Sequence, residues 1–445
     1  MSQHQASDPQ DSVPVPVILV QVEVRSVLDA PDFGELKELA HTAHFLSVGE
    51  MCCKRPYLDA QYYLGTGKLE ALKTLLLTSG AKLIIFNHDL SPTQERNLNQ
   101  VLQCPIMSRT GLILEIFSQR AKTHEGKLQV ELAELEYQAT RLVRGWTHLE
   151  RQRGGIGLRG GPGETQLELD KRLLRKRIKQ IKAELEKVKA QRKLGRNARK
   201  KSNIPTISLV GYTNAGKSTL FNLLSRAGVY AADQLFATLD PTIRKINIPY
   251  FGPAYLVDTV GFIRNLPHTL VQAFHATLEE TLHADLLLHV VDAGNPNYHE
   301  QRLEVEHVIR EINAEARPIL EVMNKIDVST SLQPSIIRDA LGVPEQVFMS
   351  ALKHQGVDLL WQALAEKLGG VLVEANLCLN PSTGGLYSQL KTLNTIQQEQ
   401  FAQDGSMHLK LKITPALLQS IPLVLEDTEI ITKYFASKTN FCNEE

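Results

Sequence analysis

TISLVGYTNAGKSTLFNLLSRAG, residues 206–228, places an apolar strand, a glycine loop and a helix in succession. The β-branched run leads into Gly211, the pattern GxxxxGKS closes on Lys217 and Ser218, and helix-forming residues follow. Such a loop surrounds phosphate oxygens with backbone N–H groups and a helix N-terminus. We predict that Lys217 reaches the β- and γ-phosphates and that the Ser218 hydroxyl binds Mg²⁺. The motif therefore predicts a nucleoside triphosphate site in an α/β domain.

A second motif, YLVDTVG at residues 255–261, predicts a strand that ends in DxxG. Asp258 stands where a carboxylate would support Mg²⁺, and Gly261 stands where a backbone N–H would meet the γ-phosphate. Many GTPases place a glutamine just after this motif to orient the attacking water. Here the residue is Phe262, whose side chain cannot accept a hydrogen bond. We therefore expect that the protein by itself hydrolyses the nucleotide slowly. We also expect a partner that orders the switch segments, which are the segments that contact the γ-phosphate.

The motif NKID, residues 324–327, predicts that the base is guanine. The Asp327 carboxylate can accept from guanine N1–H and the exocyclic amine, a donor pair that adenine lacks. Asn324 is expected to hold the loop and the base edge, and the stem of Lys325 to lie over the ring. The SAL segment at 350–352 is expected to give a backbone N–H to the base oxygen.

Between the first two motifs, FATLDPT offers two threonines that could reach Mg²⁺ and the γ-phosphate, Thr238 and Thr242. We choose Thr238. The predicted catalytic residues are Lys217, Thr238 and Gly261, and the predicted metal ligands are Ser218 and Thr238. The full set of predicted nucleotide contacts is Gly211, Tyr212, Thr213, Asn214, Ala215, Gly216, Lys217, Ser218, Thr219, Phe236, Ala237, Thr238, Leu239, Asp240, Asp258, Thr259, Val260, Gly261, Asn324, Lys325, Ile326, Asp327, Ser350, Ala351 and Leu352.

A second glycine-rich segment, RGGIGLRGGPGETQLE at 153–168, lies between two stretches in which apolar residues recur every three or four positions. We call each of these rows of apolar residues a seam. This spacing predicts two long helices in an antiparallel hairpin with the glycine loop at its tip. The loop follows a helix rather than a strand and lacks GxxxxGK, so it does not fit a phosphate site. Its arginines favour a nucleic-acid contact, and a flexible connector is the alternative. The predicted seam residues are Leu128, Leu132, Leu135, Ala139, Leu142, Trp146, Leu149, Leu174, Ile178, Ile181, Leu185 and Val188.

The formal charge is zero, with 49 basic and 49 acidic residues, but the second predicted helix is strongly basic. Residues 171–201 contain fifteen Lys or Arg and two Glu, a net charge of +13. A solvated helix face normally mixes signs, so this excess favours contact with a phosphate backbone. No aromatic residue interrupts the run, which favours structured RNA or DNA over single strands. A solvated basic helix is the alternative.

At the N-terminal end, apolar strands alternate with helical patterns, which predicts a small parallel α/β domain. YLGTGKLE at 63–70 resembles a phosphate loop, but GxxxxGK would need glycine where Tyr62 stands. We interpret Gly65, Gly67 and Lys68 as a turn into a helix, with a weak nucleotide or RNA contact as the alternative. In the C-terminal part, the segments beginning at 370, 385 and 407 predict strand, helix and strand.

The predicted fold class is α/β: a P-loop GTPase domain with a mixed, mostly parallel sheet, preceded by a small parallel α/β domain and a long antiparallel helical hairpin, and followed by a small α/β C-terminal domain. The predicted segments are a disordered lead (1–16), the N-terminal domain (17–120), the hairpin (121–195), a linker (196–204), the GTP-binding domain (205–370) and the C-terminal domain (371–445).

The five cysteines are odd in number and fit no zinc or disulfide spacing, which indicates a reducing compartment. No run approaches the roughly 18–20 apolar residues that a membrane span needs. The polar N-terminus is not typical of a signal peptide. We expect a cytoplasmic monomer without a transmembrane segment, and a fraction at the membrane periphery is the alternative.

The chain resembles the HflX family of ribosome-associated GTPases. The segments that carry this resemblance are RGGPGETQLE, GYTNAGKSTLFN, LFATLDPT, DTVGFI and NKID. The resemblance covers almost the whole chain. It implies a GTPase that uses Mg²⁺, binds GTP and GDP, is stimulated by the large ribosomal subunit, and splits stalled or idle ribosomes under stress. It also implies that the glycine tip approaches the peptidyl-transferase region, that the basic arm lies on ribosomal RNA, and that the N-terminal domain binds ATP.

Two further functions stay open at this stage. One is a nucleotide-gated RNA-binding factor in large-subunit assembly, for which hydrolysis serves only release. The other is a membrane-linked signalling switch, against which the basic arm and the missing anchor argue.

Overall fold

The computed structural model describes residues 14–24, 32–145, 166–201, 204–226, 235–264, 280–329, 331–370, 372–379, 384–402 and 405–420. Its described residues form two units. The first unit runs to Arg192 and includes 235–240 and Arg264, and the second contains the remaining described residues. No helix in these ranges is both long and apolar enough to cross a lipid bilayer.

The first unit begins with a four-stranded sheet in the order β2-β1-β3-β4, whose neighbours all pair in parallel. This confirms the small parallel α/β domain that the alternation of strands and helices predicts. The strands are β1 (Val15–Val24), β2 (Phe45–Arg55), β3 (Leu83–Phe86) and β4 (Ile106–Ser108), and the helices are α1 (Phe33–Thr42), α2 (Thr66–Ser79), α3 (Pro92–Leu102) and α4 (Arg109–Arg120).

Local capping signals fix where these helices begin. The Asp32 carboxylate accepts from the N–H of Gly34 at the start of α1, and Ser91 forms a reciprocal capping box with Gln94 at the start of α3. Gly65 precedes α2 without a side-chain cap, which confirms a turn into a helix at this position. Gly80, which ends α2, has φ +66°, a conformation that glycine adopts without strain.

Two long helices follow, α5 (His124–Gly145) and α6 (Gln166–Lys201). Leu128 and Leu132 of α5 pack with Ile181 of α6 in an apolar seam. Ion pairs join the two helices in reversed chain order: Arg192 lies 2.8 Å from Glu125, and Lys182 lies 2.9 Å from Glu136. The pair is therefore antiparallel, as the narrow apolar seams predict. The glycine loop between the helices, including Gly154–Gly163, and the side chains of Leu142, Trp146 and Leu149 lie outside the described residues.

The second unit is built on a seven-stranded sheet in the order β10-β11-β9-β8-β5-β7-β6. Only the pairs β10–β11 and β6–β7 are antiparallel among these described strands, so the sheet is mixed and mostly parallel, as predicted. The strands are β5 (Thr206–Gly211), β6 (Thr242–Ile248), β7 (Gly252–Asp258), β8 (Leu286–Asp292), β9 (Ile319–Asn324), β10 (Ser335–Arg338) and β11 (Pro344–Phe348).

Helices α7 (Lys217–Ser225), α8 (Tyr298–Glu311) and α9 (Val357–Gly369) accompany this sheet, and a short 3-10 helix spans Ile326–Val328. The strands β5, β7, β8 and β9 run parallel, so their carboxyl ends share one edge, which is where open α/β sheets bind ligands. Each predicted nucleotide motif of this unit follows one of these strands or the neighbouring β11.

The C-terminal part of the chain differs from the prediction of a strand, a helix and a second strand. It is antiparallel in the order β12-β14-β13, with β12 (Val373–Leu379), β13 (Ile396–Phe401), β14 (Met407–Ile413), α10 (Gly384–Thr392) and α11 (Pro415–Ser420). The predicted helix from 385 is wrong beyond Thr392, because residues 396–401 form β13. Their glutamines favour a helix locally, but pairing with β14 satisfies their backbone groups instead.

Replacing Ile181 by alanine tests the hairpin seam. Ile181 is fully buried, so Ile181→Ala should lower the free energy of unfolding of the hairpin by about 2–5 kcal/mol. Leu173→Ala on the same helix, where the side chain is 54% exposed, should change it by about 0.5 kcal/mol or less. Amide hydrogen exchange along α5 and α6 measures both. Equal protection in the two variants would contradict the seam.

Candidate functional site

Two glycines let the loop after β5 approach its neighbours. Gly211 has φ +151°, and a Cβ there would lie 2.3 Å from the carbonyl oxygen of Val290 on β8. Gly216 precedes α7 with φ +93°, and a Cβ there would lie 2.3 Å from Nδ2 of Asn324. Any larger residue at either position would displace these groups, so the motif's glycines are required by close packing.

The side chain of Lys217 folds back into this loop. Its Nζ donates to the carbonyl oxygens of Gly211 at 3.0 Å and Tyr212 at 2.7 Å, and the side chain is buried. Burial lowers the pKa of Lys217 to about 8; the carboxylate of Asp258 opposes this shift, and the ammonium of Lys325 adds to it. The structure thus places a cation with a lowered pKa at the centre of the loop.

Ser218 and Asp258 meet at the edge of the sheet. The Ser218 hydroxyl donates to Oδ2 of Asp258 at 2.9 Å, and Asp258 is fully buried. The next residue, Thr259, donates to the carbonyl oxygen of Leu209 at 2.6 Å, which ties the segment to β5. Thr242, the alternative switch threonine, is the first residue of β6 and pairs with Asp258 across the sheet.

Phe262 attaches the segment after β7 to the loop through its backbone. Its carbonyl accepts from Thr213 N–H at 2.7 Å, and its N–H donates to Gly211 at 3.1 Å. The ring is buried. A Cβ on Gly261 would lie 2.9 Å from Nζ of Lys217, so this glycine permits the close approach. The apolar residue in place of glutamine therefore serves packing, a role that the sequence pattern did not reveal.

Asn324 connects the loop to the segment after β11. Its Nδ2 donates to the Ala215 carbonyl at 2.9 Å, and its Oδ1 accepts from the Ala351 N–H at 3.0 Å. The amide thus holds both segments. Asn324 is predicted to hold the loop and to hold the base edge, and the structure shows the first of these two contacts. Ile326 is buried, whereas Asp327 is exposed at the end of the motif.

The remaining predicted contacts of this unit are placed along the same segments. Asn214 adopts φ +60° within the loop, and Thr219 lies in the first turn of α7. Val260 and Ser350 are buried, while Leu352 is 70% exposed.

Lys325 has a partner, Asp292, that is not among the residues predicted from the sequence motifs. Its Nζ lies 2.8 Å from Oδ2 of Asp292, the last residue of β8. The signal was present, because an apolar strand that ends in an aspartate at the carboxyl edge of a parallel sheet points that residue toward the ligand edge.

The predicted switch segment belongs to the first unit. Phe236 packs edge to face against Phe117 at a centroid distance of 4.7 Å, and Leu239 of the same segment is also buried. Phe236 adopts φ +53°, which is unusual for an aromatic residue. Ala237 and Thr238 are half-buried.

Asp240 closes this segment. Its Oδ2 accepts from the backbone N–H groups of Lys122 at 3.1 Å and Thr123 at 2.9 Å, just before α5 begins. The Thr123 hydroxyl donates to its other oxygen. In the first unit, Asp240 thus serves as an acceptor at a helix N-terminus, whereas its motif predicts a contact with the nucleotide.

The chain is similar in sequence to known proteins. A protein named GTPase HflX from Escherichia coli is 50% identical over 396 residues, which cover 89% of this chain and 93% of that protein. The chain belongs to the HflX family of GTPases. A GTPase HflX from Magnetococcus marinus is 46% identical over 356 residues, which cover 80% of this chain and 82% of that protein.

Four family models match successive parts of this HflX chain. They are described as GTP-binding GTPase N-terminal (residues 31–118), GTP-binding GTPase Middle Region (120–199), 50S ribosome-binding GTPase (206–325) and HflX C-terminal domain (335–422). Among solved structures, the complex of SsGBP with GDP is 27% identical with a TM-score of 0.45, covering 79% of this chain and 97% of that chain. Membership of the HflX family makes this protein a GTPase.

Proton uptake tests the environment of Lys217. Nucleotide phosphates should raise its pKa, so binding favours the protonated form. We expect GDP binding to take up clearly more of a proton at pH 8.5 than at pH 7, and affinity to fall as the pH rises above about 8. Calorimetry in buffers of different ionisation enthalpy measures this uptake. No uptake at pH 8.5 would refute a lowered pKa.

Proposed function

We propose that this protein binds the large ribosomal subunit and uses GTP binding and hydrolysis to split stalled or idle ribosomes under stress. The observation that carries the proposal is the match of residues 206–325 to the 50S ribosome-binding GTPase family, within a chain of the HflX family. We expect it to act in the cytoplasm.

The loop Gly211–Ser218 is the phosphate site in this proposal. In the free protein, the Lys217 ammonium donates hydrogen bonds to two loop carbonyls. The phosphate oxygens would compete with these carbonyls for the hydrogen bonds. Backbone N–H groups at the start of α7 add a positive dipole. Asn324 fixes the loop against the base segment, so the phosphate and base ends of the site are set relative to each other before the nucleotide binds.

The residues present also suit Mg²⁺, which prefers oxygen ligands. Ser218 and Thr238 are the proposed protein ligands, and Asp258 orients the Ser218 hydroxyl through the hydrogen bond between them. When bound, the ion would neutralise charge on the β- and γ-phosphates. Within the described residues, no group of three His, Cys, Asp or Glu forms a separate metal site.

Hydrolysis should be slow without a partner. Phe262 offers no side-chain acceptor for the attacking water, and its ring is buried. The proposed partner is the ribosome, which would order the segment containing Thr238 and position the water.

The hairpin is the proposed RNA contact. Part of the positive charge of α6 is neutralised by α5, because Arg177 forms a two-point ion pair with Glu131 at 2.6 and 2.9 Å. Other cations of α6, including Arg175, Lys176 and Lys179, are exposed. These side chains could contact RNA phosphates, and the binding should weaken with salt. ATP binding by the N-terminal domain stays a prediction of the family resemblance.

Substitution of Asp327 tests base recognition. Asp327→Asn replaces two acceptors by one acceptor and one donor, which suits xanthine better than guanine. We expect GDP affinity to fall about 100-fold and XDP affinity to rise. Asp358→Asn, at the exposed start of α9, is the control and should leave both affinities unchanged. Fluorescence titration gives the four values, and unaltered GDP affinity in Asp327→Asn would exclude the base-reading role.

Sedimentation of ribosomes tests the splitting. With GTP, the wild-type protein should convert joined ribosomes into subunits, whereas Lys217→Ala should not. Replacing Gly160, Gly161 and Gly163 by alanine should leave GTP binding intact and reduce conversion, because added Cβ atoms hinder close approach to RNA. Binding to free large subunits without conversion would instead support a role in subunit assembly. Loss of nucleotide binding in the triple variant would mean that this segment holds phosphate.

A further inference from the structure

Asp292 stands next to the proposed base-reading segment. It is the last residue of β8, and in the parallel pairing of β8 with β9 it lies opposite Asn324, the first residue of the NKID motif. The Ala293 N–H donates to the Asn324 carbonyl at 2.9 Å. The ends of the two strands are thus joined, and both side chains lie at the ligand edge.

The Asp292 carboxylate is held on both sides. Oδ1 accepts from the Gly294 N–H at 3.0 Å in a tight turn, and Oδ2 lies 2.8 Å from Nζ of Lys325. Only 17% of the Asp292 side chain and 29% of the Lys325 side chain are exposed. Because the turn and the strand fix the carboxylate, the end of the lysine side chain is fixed as well.

The backbone of Lys325 is also constrained. Its φ is +62°, a left-handed conformation that few non-glycine residues adopt. It immediately precedes the 3-10 helix that contains Asp327. With both ends fixed, the four-carbon stem of Lys325 follows a defined path between the backbone and Asp292.

We propose that Asp292 is a positioning residue for guanine nucleotide binding, which orients the Lys325 stem for contact with the base. The proposal rests on the assignment of Asn324–Asp327 as the base-reading segment. A free lysine side chain loses much rotamer entropy when a ligand immobilises it. Asp292 imposes that order before the nucleotide arrives, so binding of the nucleotide costs less side-chain entropy.

The charge of the pair supports this role. The Lys325 ammonium contributes to the lowered pKa of Lys217, so the charges of the two lysines interact. Pairing with Asp292 anchors one of them at the base end. Breaking an ion pair that served only stability would lower the free energy of unfolding without changing the rate of GDP dissociation.

A double-mutant cycle on the full chain separates positioning from a structural role. The variants are Asp292→Asn, Lys325→Met and the double variant, and the probe is GDP. Asparagine keeps an acceptor for Gly294 and loses the charge that pairs with Lys325. We expect Asp292→Asn to speed GDP dissociation about tenfold, with kcat at saturating GTP within about twofold of wild type. In the Lys325→Met background, the same change should alter dissociation by less than about twofold.

Asp339 provides a matched control, because its Oδ1 likewise accepts from backbone N–H groups in a turn, those of Leu341 and Val343 at 2.8 Å. Asp339→Asn should leave GDP dissociation unchanged. If thermal unfolding shows that Lys325→Met does not fold, Lys325→Gln replaces it in the cycle.

Two results would overturn the proposal: equal acceleration by Asp292→Asn in both backgrounds, which indicates a structural role, or no acceleration in the wild-type background. Faster GDP release from Lys325→Met than from the wild-type protein would support the role of the anchored lysine. If Lys325→Met leaves GDP dissociation unchanged, anchoring of the lysine by Asp292 does not matter and the proposal fails, whereas the base-segment assignment is tested separately by Asp327→Asn.

Discussion

The buried ammonium of Lys217 is the group on which the proposed nucleotide site depends. A buried charge is costly unless it is hydrogen-bonded, and two carbonyls of its own loop satisfy it here. This requirement curves the loop around the side chain. The curved loop can then be packed closely only if Gly211 and Gly261 have no side chains. The same interaction that shapes the free site leaves a cation ready to exchange its carbonyl partners for phosphate oxygens.

Around this centre, most of the organising contacts come from residues that are not expected to react. Asn324 joins the loop to Ala351, Phe262 joins it to the segment after β7, and Asp292 holds Lys325. These interactions fix the geometry before the nucleotide binds, which reduces the entropy that binding must overcome. Under the proposed function, reactivity would then depend on the switch segments and on a partner, consistent with the missing glutamine.

The hairpin shows why charge in a sequence and charge on a surface differ. Residues 171–201 have a net charge of +13, but carboxylates of α5 reach across to Arg177, Lys182 and Arg192. The exposed cations that are left define the surface that we propose for contact with RNA phosphates. The apolar seam at Ile181 keeps the two helices in the register that makes this pairing possible.

The sequence by itself determined the elements whose causes are local: the glycine loop after β5, the caps at Asp32 and Ser91, and the paired seams of the hairpin. Each depends on residues a few positions apart, so spacing alone specifies them. Only the tertiary structure decided that residues 396–401 form a strand, because β14 supplies their hydrogen bonds, and that Asp292 meets Lys325. These outcomes depend on which strands become neighbours, and that choice is made by packing over long sequence separations rather than by local pattern.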